Sequence, residues 1–327
     1  MAKIFLTGAT GFVGSFVAEQ LVKENHEVVC LVRKTSNLRW IEDLPVQTLI
    51  GSLSDPSSYE EAVKQAEVVV HVAGVTKANN AAAYYRGNVD TTRDLLQIIL
   101  KTNPGLKRFL YVSSQAAVGP ARSTAPMDES AVPHPITDYG KSKLTAEKLV
   151  QSFMGKLPVT IVRPPAVYGP RDTDVLHFFK GLKKGWNLQV GNVDQYVSVV
   201  YVKDLAAGIV QALFSDKSTG KLYFLCEEPP RYWSQVARLA ADIMQVSYRT
   251  LRIPYRLAFG ISYLLEMLSR FRSSTTILNR QKMLEIRQPF WGVSCKRAQT
   301  DFAYQTNFPL AEGIRETITW YRQNGWL

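Results

Sequence analysis

The fold is decided by the stretch Lys3-Ile4-Phe5-Leu6-Thr7-Gly8-Ala9-Thr10-Gly11-Phe12-Val13-Gly14, which stands almost at the start of the chain. An apolar run comes first, three glycines follow at three-residue spacing, and apolar residues then recur at helical spacing as far as Leu21. This order predicts a strand, a tight turn and the start of a helix. Unpaired backbone N–H groups and the positive end of the helix dipole face such a turn, and glycine lets a phosphate approach the backbone. The stretch therefore predicts a phosphate-binding turn.

The spacing of these glycines is Gly-x-x-Gly-x-x-Gly, which differs from the Gly-x-Gly-x-x-Gly of long-chain dinucleotide-binding enzymes. On its own, the triplet also fits an ordinary turn between a strand and a helix. Its position at the start of an alternating strand and helix pattern favours the nucleotide-binding interpretation.

Apolar runs alternate with helical patterns over the first half of the chain. The predicted strands lie near 26–33, 46–50, 67–74, 108–114 and 159–162, and the predicted helices cover 56–66, 88–101 and 138–153. This alternation predicts a doubly wound parallel sheet of the α/β class, with ligands at the carboxyl ends of the strands. Beyond Pro164 helices dominate, with brief strands near 196–202 and 221–225. We expect a dinucleotide-binding sheet domain over 1–165 and a smaller, mostly helical substrate-binding part over 166–327, partly interleaved with the sheet domain.

The composition limits the classes of function. The chain has 327 residues, is 46% hydrophobic and carries a net charge of +11. Its Lys and Arg residues are scattered and form no run of the nucleic-acid-binding type, so we expect no nucleic-acid partner. Three cysteines and four histidines show no metal-ligand spacing, so we expect no metal site. Few cysteines and no signal-peptide pattern at the N-terminus indicate the cytoplasm.

The segment 257–268 is unusually apolar and is flanked by arginines at 252, 256, 270 and 272. It is too short to span a bilayer as a helix. A buried cap helix is the first interpretation. The second is an interfacial helix in contact with a membrane surface, or a lid over an apolar substrate.

A second motif, Tyr139-Gly140-Lys141-Ser142-Lys143, places a phenol and an ammonium four residues apart on one helical face. A nearby ammonium favours the phenolate, so we expect a lowered tyrosine pKa and proton exchange with an alcohol or carbonyl near neutral pH. Ser113 and Ser114 end the fifth predicted strand, where a hydroxyl can hydrogen-bond the reacting oxygen. Each feature alone is unremarkable, because a Tyr and a Lys one turn apart are usually surface residues. Their combination with the glycine turn, in this order, is specific.

These motifs closely resemble the extended short-chain dehydrogenase/reductase superfamily, the NAD-dependent epimerase/dehydratase group, and among its members most the 3β-hydroxysteroid dehydrogenases and dihydroflavonol reductases. The matching segments are 7–14, 71–74, Asn88, 112–119, 139–143, 163–170 and 202–206. The resemblance implies a Rossmann-type domain in which Tyr139 is the general acid/base and Lys143 holds the nicotinamide ribose and tunes Tyr139. It also selects Ser114 over Ser113 as the catalytic serine, and it makes a homodimer an expectation by analogy.

The resemblance, together with the strand ends, implies a set of residues that contact the cofactor. They are Gly8, Thr10, Gly11, Phe12, Val13, Gly14, Arg33, Lys34, Ser52, Leu53, Val72, Ala73, Gly74, Asn88, Val112, Tyr139, Lys143, Pro164 and Val167.

The end of the second strand indicates which dinucleotide is bound. An NAD site needs a carboxylate there for the ribose hydroxyls, but this chain has Arg33 and Lys34. A guanidinium pairs well with a 2′-phosphate, so NADP(H) is favoured and NAD(H) remains the alternative, with both cations then simply solvated. Ser52 stands where the family usually has an aspartate, so a carboxylate contact with adenine is lost.

The substrate divides the family. Members that act on nucleoside-diphosphate sugars usually have an arginine seven residues before the aspartate that matches Asp204, and this chain has Val197 there, between Tyr196 and Ser198. The first hypothesis is therefore hydride transfer between NADP(H) and an alcohol or ketone carbon of a hydrophobic, steroid-, flavonoid- or lipid-like substrate. The second is a nucleoside-diphosphate-sugar epimerase or dehydratase with retained NAD. The third is a non-catalytic dinucleotide sensor, against which the intact motif Ser114, Tyr139 and Lys143 argues.

Overall fold

A computed structural model of the chain describes residues 1–272 and 280–327, with the side chains of 265–272 outside the described part. The strands are β1 (Lys3–Thr7), β2 (Glu27–Val32), β3 (Gln47–Ile50), β4 (Val68–His71), β5 (Arg108–Val112), β6 (Val159–Arg163), β7 (Ala166–Tyr168), β8 (Trp186–Val190), β9 (Tyr196–Val197), β10 (Val199–Tyr201), β11 (Lys221–Phe224), β12 (Arg231–Tyr232), β13 (Arg249–Ile253) and β14 (Phe290–Trp291). The helices are α1 (Phe12–Lys23), α2 (Glu60–Gln65), α3 (Ala81–Tyr85), α4 (Thr91–Thr102), α5 (Asp138–Gln151), α6 (Asp174–Lys183), α7 (Val202–Phe214), α8 (Trp233–Met244), α9 (Tyr255–Arg272), α10 (Arg280–Arg287), α11 (Lys296–Phe302) and α12 (Leu310–Gln323).

Seven strands form the main sheet, in the order β11-β6-β5-β4-β1-β2-β3, and every pair is parallel. The chain proceeds outward from β1 to β3 and then returns to place β4 on the other side of β1. A crevice opens at the carboxyl ends where the strand order reverses, and ligands of such sheets bind there. The predicted doubly wound parallel sheet is confirmed.

The main sheet is buried on both faces, which explains its nearly continuous apolar strands. Along β1, Ile4 and Leu6 belong to one hydrophobic cluster and Phe5 to the other. All three side chains are fully buried. Helices therefore cover both faces and leave the strand ends as the accessible edge.

The second half of the chain is built around three small sheets and also contributes to the main one. The pairs β7–β10 and β8–β13 are parallel, and β9 lies between β12 and β14. Strand β11 pairs with β6 at the edge of the main sheet. The division of the chain at residue 165 stays a prediction.

Several boundaries differ from the sequence predictions. The strand predicted over 67–74 ends at His71, because β1 ends at Thr7 and offers a last carbonyl to the Val72 amide. The helix predicted from residue 88 begins as a π-helical turn over Arg86–Asp90 and becomes α4. The helix predicted over 56–66 is a short 3-10 turn followed by α2.

Helix α9 contains the apolar segment 257–268, of which the side chains of 265–268 lie outside the described residues. The interpretation of this segment as a buried cap helix is wrong for its described half. Leu257 and Leu264 are each 57% exposed, whereas Ala258 and Ser262 are buried. Among the described residues, no helix is both long and apolar enough to cross a bilayer.

Candidate active site

The turn after β1 requires glycine at two positions. Gly8 has a φ of +81°, and a Cβ there would lie 2.6 Å from the Ala73 backbone nitrogen in the loop after β4. A Cβ on Gly14 would lie 2.0 Å from the Gly8 carbonyl oxygen. Side chains at these positions would separate α1 from β1 and β1 from the β4 loop. The two glycines therefore bring the helix N-terminus to the crevice.

The N-terminus of α1 is free to bind an anion. Gly11 is its N-cap, is exposed and supplies no side-chain cap, while its own N–H donates to the Gly8 carbonyl. The backbone N–H groups of Phe12, Val13 and Gly14 have no acceptor within the helix. Thr10 lies half-buried in the same turn. This open helix end fits the pyrophosphate of a dinucleotide.

The loop after β2 offers positive charge. Arg33 and Lys34 are both exposed, and neither side chain makes a hydrogen bond or ion pair among the residues that the structure describes. The Arg33 backbone is fixed by Ser36, whose hydroxyl accepts from the Arg33 N–H at 3.0 Å. Neighbouring Ser52 has its hydroxyl engaged with Ser54 Oγ at 2.9 Å, and Leu53 is half-buried. The guanidinium of Arg33 is thus available to an anionic ligand.

A buried polar network underlies the crevice between β1 and β4. His71 Nδ1 lies 2.7 Å from Thr7 Oγ1, and its Nε2 lies 2.9 Å from Thr92 Oγ1. The Thr7 hydroxyl also accepts from the Ala73 N–H at 3.3 Å. Burial, with a smaller contribution from the Lys143 charge, lowers the pKa of His71 to about 3. The neutral imidazole therefore connects β1, β4 and α4 beneath the site.

We expect His71 to make folding sensitive to acid. Its folded pKa lies below the unfolded value of 6.5, so unfolding takes up a proton at lower pH, and stability present above pH 6.5 is lost as pH falls. The free energy of unfolding of the wild type should fall by up to about 1.4 kcal/mol more per pH unit than that of His71→Gln. Urea titrations between neutral pH and pH 5 measure the difference. Exposed His134→Gln is the control and should keep the wild-type slope; equal slopes in all three proteins would contradict the role of His71.

Asn88 is placed beside the cofactor crevice but is fully occupied within the protein. Its Oδ1 accepts from the Val75 N–H at 2.7 Å, and its Nδ2 donates to the Val75 carbonyl and to Ser142 Oγ at 3.0 and 2.9 Å. A Cβ on Gly74 would lie 3.1 Å from Asn88 Oδ1. Asn88 thus holds the loop after β4 against α5. A direct contact between Asn88 and the cofactor stays a prediction.

The helix that carries Tyr139 is held closely against the end of β5. Thr137 caps α5 by accepting from the Gly140 N–H at 3.1 Å. A Cβ on Gly140 would lie 2.3 Å from the Ala116 carbonyl oxygen, so only glycine permits this approach. As a result the Ser114 hydroxyl lies close enough to the Tyr139 phenol to favour the phenolate. Ser113 is buried, and its hydroxyl has no hydrogen-bond partner among the residues that the structure describes.

Lys143 lies one turn further along α5 and is buried beneath the same site. Its ammonium donates to the Val112 carbonyl at 2.8 Å and lies 4.2 Å from the centre of the Tyr111 ring. Desolvation lowers the pKa of Lys143 to about 7, although the Glu147 carboxylate opposes that shift. The structure thus brings Ser114, Tyr139 and Lys143 together at the carboxyl end of β5.

The expected lowering of the tyrosine pKa is wrong in this structure. Burial raises the pKa of Tyr139 to about 12, and the nearby Ser114 hydroxyl opposes this increase only in part. The Glu285 carboxylate adds to the increase. Because the Lys143 ammonium is directed at the Val112 carbonyl, desolvation of the phenol outweighs its influence. Tyr139 is therefore protonated at neutral pH.

The C-terminal part of the chain contributes residues that sequence analysis missed. Gln281 on α10 pairs with the start of α5, because its Nε2 donates to the Asp138 carboxylate at 2.6 Å and its Oε1 accepts from the Asp138 N–H at 2.7 Å. Glu285, one turn later, acts on Tyr139 electrostatically. The Tyr84 ring lies 6.1 Å from the Tyr139 ring. No local motif marks these residues, since only the fold brings them to α5.

The remaining predicted contacts lie along the carboxyl ends of neighbouring strands. Val112 ends β5, and Pro164 follows β6 and accepts from the Gln115 N–H at 2.8 Å. Val167 lies in β7, opposite Val200 of β10, and is half-buried. Val72 and Ala73 are half-buried in the loop after β4. Val72, Ala73, Val112 and Pro164 border the crevice edge of the main sheet, whereas Val167 lies in the separate β7–β10 sheet. Contact of all five with a cofactor stays a prediction.

Two cysteines that are distant in sequence meet in the fold. The thiols of Cys226 and Cys295 and the carboxylate of Glu228 lie within 4.8 Å of one another. Glu228 accepts from the Cys295 N–H at 3.0 Å, and the Cys295 thiol lies 3.4 Å from the Cys226 carbonyl oxygen. Sequence spacing alone could not indicate this cluster. Its polar atoms already have partners within the protein, and the absence of a metal stays a prediction.

Comparison with known proteins places this geometry in a family. The family model described as the NAD dependent epimerase/dehydratase family matches residues 4–225. The chain is 29% identical over 325 residues to the ceramide reductase of Caulobacter vibrioides, covering 99% of this chain and 96% of that protein. It is 26% identical over 274 residues to the N-acetyl-alpha-D-glucosaminyl-diphospho-ditrans,octacis-undecaprenol 4-epimerase of Escherichia coli O157:H7, covering 82% and 80%.

A solved structure agrees along the whole chain. The crystal structure of gox2253 superimposes with a TM-score of 0.82 at 27% identity, and each chain is covered completely. The predicted resemblance to extended short-chain dehydrogenases/reductases is confirmed, and so is the prediction of an enzyme of this superfamily. The chain belongs to the NAD-dependent epimerase/dehydratase family.

Proposed function

We propose that the protein is an NADP(H)-dependent reductase or dehydrogenase for a hydrophobic ketone or alcohol, with Ser114, Tyr139 and Lys143 as its catalytic residues. The observation that carries this proposal is that α5 is held against the end of β5, which places Tyr139 close to Ser114 and above the buried Lys143. All three groups lie at the carboxyl end of the sheet, next to a glycine turn that fits a pyrophosphate.

Each of the three side chains has a distinct part in the reaction. The nicotinamide ring, when bound, donates or accepts the hydride. Tyr139 donates a proton to the substrate oxygen during reduction and takes it back during oxidation. Ser114 can hydrogen-bond the same oxygen, because its hydroxyl already reaches the phenol. Lys143 is within reach of the Val112 carbonyl and of the loop after β4, where the nicotinamide ribose would lie.

The protonated state of Tyr139 favours reduction at neutral pH. A phenol with a pKa of about 12 holds its proton and can deliver it to a carbonyl oxygen that receives hydride. Oxidation of an alcohol needs the phenolate, which this environment disfavours. We therefore expect ketone reduction to be the faster direction near pH 7, and alcohol oxidation to increase as the pH rises.

An apolar substrate is supported by the uncharged residue at position 197, where the enzymes that act on sugar nucleotides usually have an arginine. Val197 lies in β9, between β12 and β14, and is buried in the larger hydrophobic cluster. Its neighbours Tyr196 and Ser198 carry no charge. A ceramide reductase is also among the relatives that match almost the entire chain. A lipid-like ketone or alcohol is therefore the substrate class that we propose.

The second candidate is a nucleoside-diphosphate-sugar epimerase or dehydratase that retains NAD. The similarity to an undecaprenol-linked sugar 4-epimerase over 82% of the chain supports the epimerase part of this candidate, whereas the carrier named there is a lipid and not a nucleoside. Denaturing the purified protein and identifying any released nucleotide separates the two candidates. Little retained nucleotide and tighter binding of NADPH than NADH would support the reductase. Stoichiometric retained NAD together with binding of a UDP-sugar would replace it with the epimerase.

Replacing Arg33 with alanine should weaken NADPH binding by about 10- to 100-fold and leave NADH binding nearly unchanged, because one charge-assisted phosphate contact is lost. Fluorescence titration of the nucleotide-free protein with each cofactor measures both dissociation constants. Arg322→Ala, which removes an exposed arginine on α12, is the control. An equal loss for both cofactors would contradict the 2′-phosphate contact and favour NAD(H).

A cytoplasmic location, a homodimer and contact of the segment 257–268 with a membrane surface also stay predictions. Size measurement in solution tests the dimer. Contact with a membrane surface is supported by the mostly apolar nature of the proposed substrate and by the exposure of Leu257 and Leu264.

A further inference from the structure

Exposed apolar side chains are concentrated in one region of the molecule. Of the fourteen large apolar side chains that are exposed among the described residues, eight lie on β8, β13 and the described half of α9. Leu188 is 62% exposed, and Leu251, its partner in the parallel register of β8 and β13, is 47% exposed. Because paired residues of parallel strands share a face, these leucines form one apolar surface.

Helix α9 continues this surface. It begins two residues after β13 ends, and Leu257, Ile261 and Leu264 follow one another at the four- and three-residue spacing of a single helical face. A stripe of this kind normally packs against a core. Here Ala258 and Ser262 face the protein, and the apolar stripe faces the solvent.

The same region is strongly basic. Residues 183–190 and 249–264, here named the basic apolar face, contain no acidic residue and five basic ones. These are Lys183, Lys184, Arg249, Arg252 and Arg256. All five are exposed, and none makes an ion pair within the described part of the chain. Exposed apolar side chains interspersed with unpaired cations are typical of a surface that lies in the headgroup region of an anionic membrane.

We propose that the basic apolar face docks on the surface of an anionic lipid bilayer. The leucines, Ile261 and Trp186 enter the boundary between headgroups and acyl chains, and the cations on the same side, such as Arg249 beside Trp186, contact lipid phosphates. Docking is in the plane of the membrane, because no described helix is long and apolar enough to cross it. The proposal goes beyond the reductase activity and does not depend on it.

Charge argues against a second copy of the chain as the occupant. A two-fold dimer places the same surface patch on both subunits, so five cations would face five cations without a counter-charge. An anionic bilayer can accommodate the exposed apolar side chains and also neutralise the positive charges of the basic apolar face.

Flotation with lipid vesicles tests the proposal on the intact protein. We expect the wild type to float with vesicles of phosphatidylcholine and phosphatidylglycerol at low salt, and to do so much less with phosphatidylcholine alone or at high salt. The double variant Arg249→Gln/Arg256→Gln should bind at least about tenfold more weakly, because each cation near an anionic surface strengthens binding severalfold. Arg249 pairs with Trp186 and shares the face of Leu188 and Leu251. Leu257→Ser/Leu264→Ser should also lose binding.

The matched control is Lys148→Gln/Lys156→Gln, which removes two exposed cations elsewhere and should bind like the wild type. All substituted residues are exposed, and circular dichroism establishes that each variant is folded. Three results would overturn the proposal: no binding to anionic vesicles, equal weakening in the control, or a wild-type dimer in sedimentation that Leu257→Ser/Leu264→Ser dissociates. The last result would make the face a contact between two copies.

Discussion

Phenylalanine at position 139 is expected to lower the turnover number by about a hundredfold to ten-thousandfold while leaving NADPH affinity almost unchanged. The substitution removes only the phenol oxygen, which lies close to Ser114 and is the atom that we propose to exchange the proton. The ring remains, so its packing near Tyr84 at 6.1 Å and the position of α5 are preserved. Turnover is measured with a ketone that the wild type reduces, and cofactor affinity by fluorescence titration.

Tyr85→Phe is the matched control for this experiment. It removes a phenol oxygen from neighbouring α3 that makes no hydrogen bond among the described residues, and it should leave turnover within a few-fold of the wild type. A fully active Tyr139→Phe enzyme would disprove the assignment of the general acid. A variant that also loses cofactor binding would show that the substitution disturbs the site as a whole.

Replacing Arg163 with methionine should produce the largest loss of stability, about 3–5 kcal/mol in the free energy of unfolding. Arg163 Nε and NH2 donate to the two carboxylate oxygens of Glu147 at 2.8 and 2.5 Å. The two side chains are only 5% and 1% exposed, so the variant leaves a buried carboxylate without its direct, hydrogen-bonded counter-charge. Urea unfolding followed by fluorescence measures the change.

Two further variants show whether burial of the Glu147 charge causes the loss of stability. Lys101→Met breaks the exposed pair with Glu60 and should cost less than about 1 kcal/mol. The double variant Arg163→Met/Glu147→Met removes both charges of this pair and should recover only part of the loss, because Lys143 then loses the Glu147 charge. The explanation fails if Arg163→Met is no more destabilising than Lys101→Met, or if the double variant is the least stable of the three.

The sequence predicted those parts of the site whose residues must lie at a fixed, short spacing along the chain to perform their role. The glycines from Gly8 to Gly14 all belong to the loop between β1 and α1. Tyr139 and Lys143 are four residues apart on one helix. Both patterns can therefore be recognised within a short stretch of sequence. The parallel sheet was predictable for the same reason, because strands and helices alternate along the chain.

The remaining features depend on contacts between distant segments. Gln281 and Glu285 reach α5 only because the C-terminal part folds over the start of that helix. The direction of the Tyr139 pKa shift was mispredicted because spacing reveals the nearby Lys143 but not the degree of burial, which outweighs it. Cys226 and Cys295 likewise meet only in the folded chain.

The position of β11 bears on how the protein is synthesised and folded. Residues 221–224 complete the main sheet beside β6, so this edge stays unpaired until about two thirds of the chain has left the ribosome. Until then β6, buried on both faces in the native protein, exposes free backbone N–H and C=O groups together with apolar side chains, and such an edge can pair with other nascent chains. A polypeptide that stops near residue 165 should therefore aggregate, even though it contains the whole glycine turn and the three residues that we propose to be catalytic. The first half of the chain therefore needs strand β11, which is synthesised much later, to form a stable fold that does not aggregate.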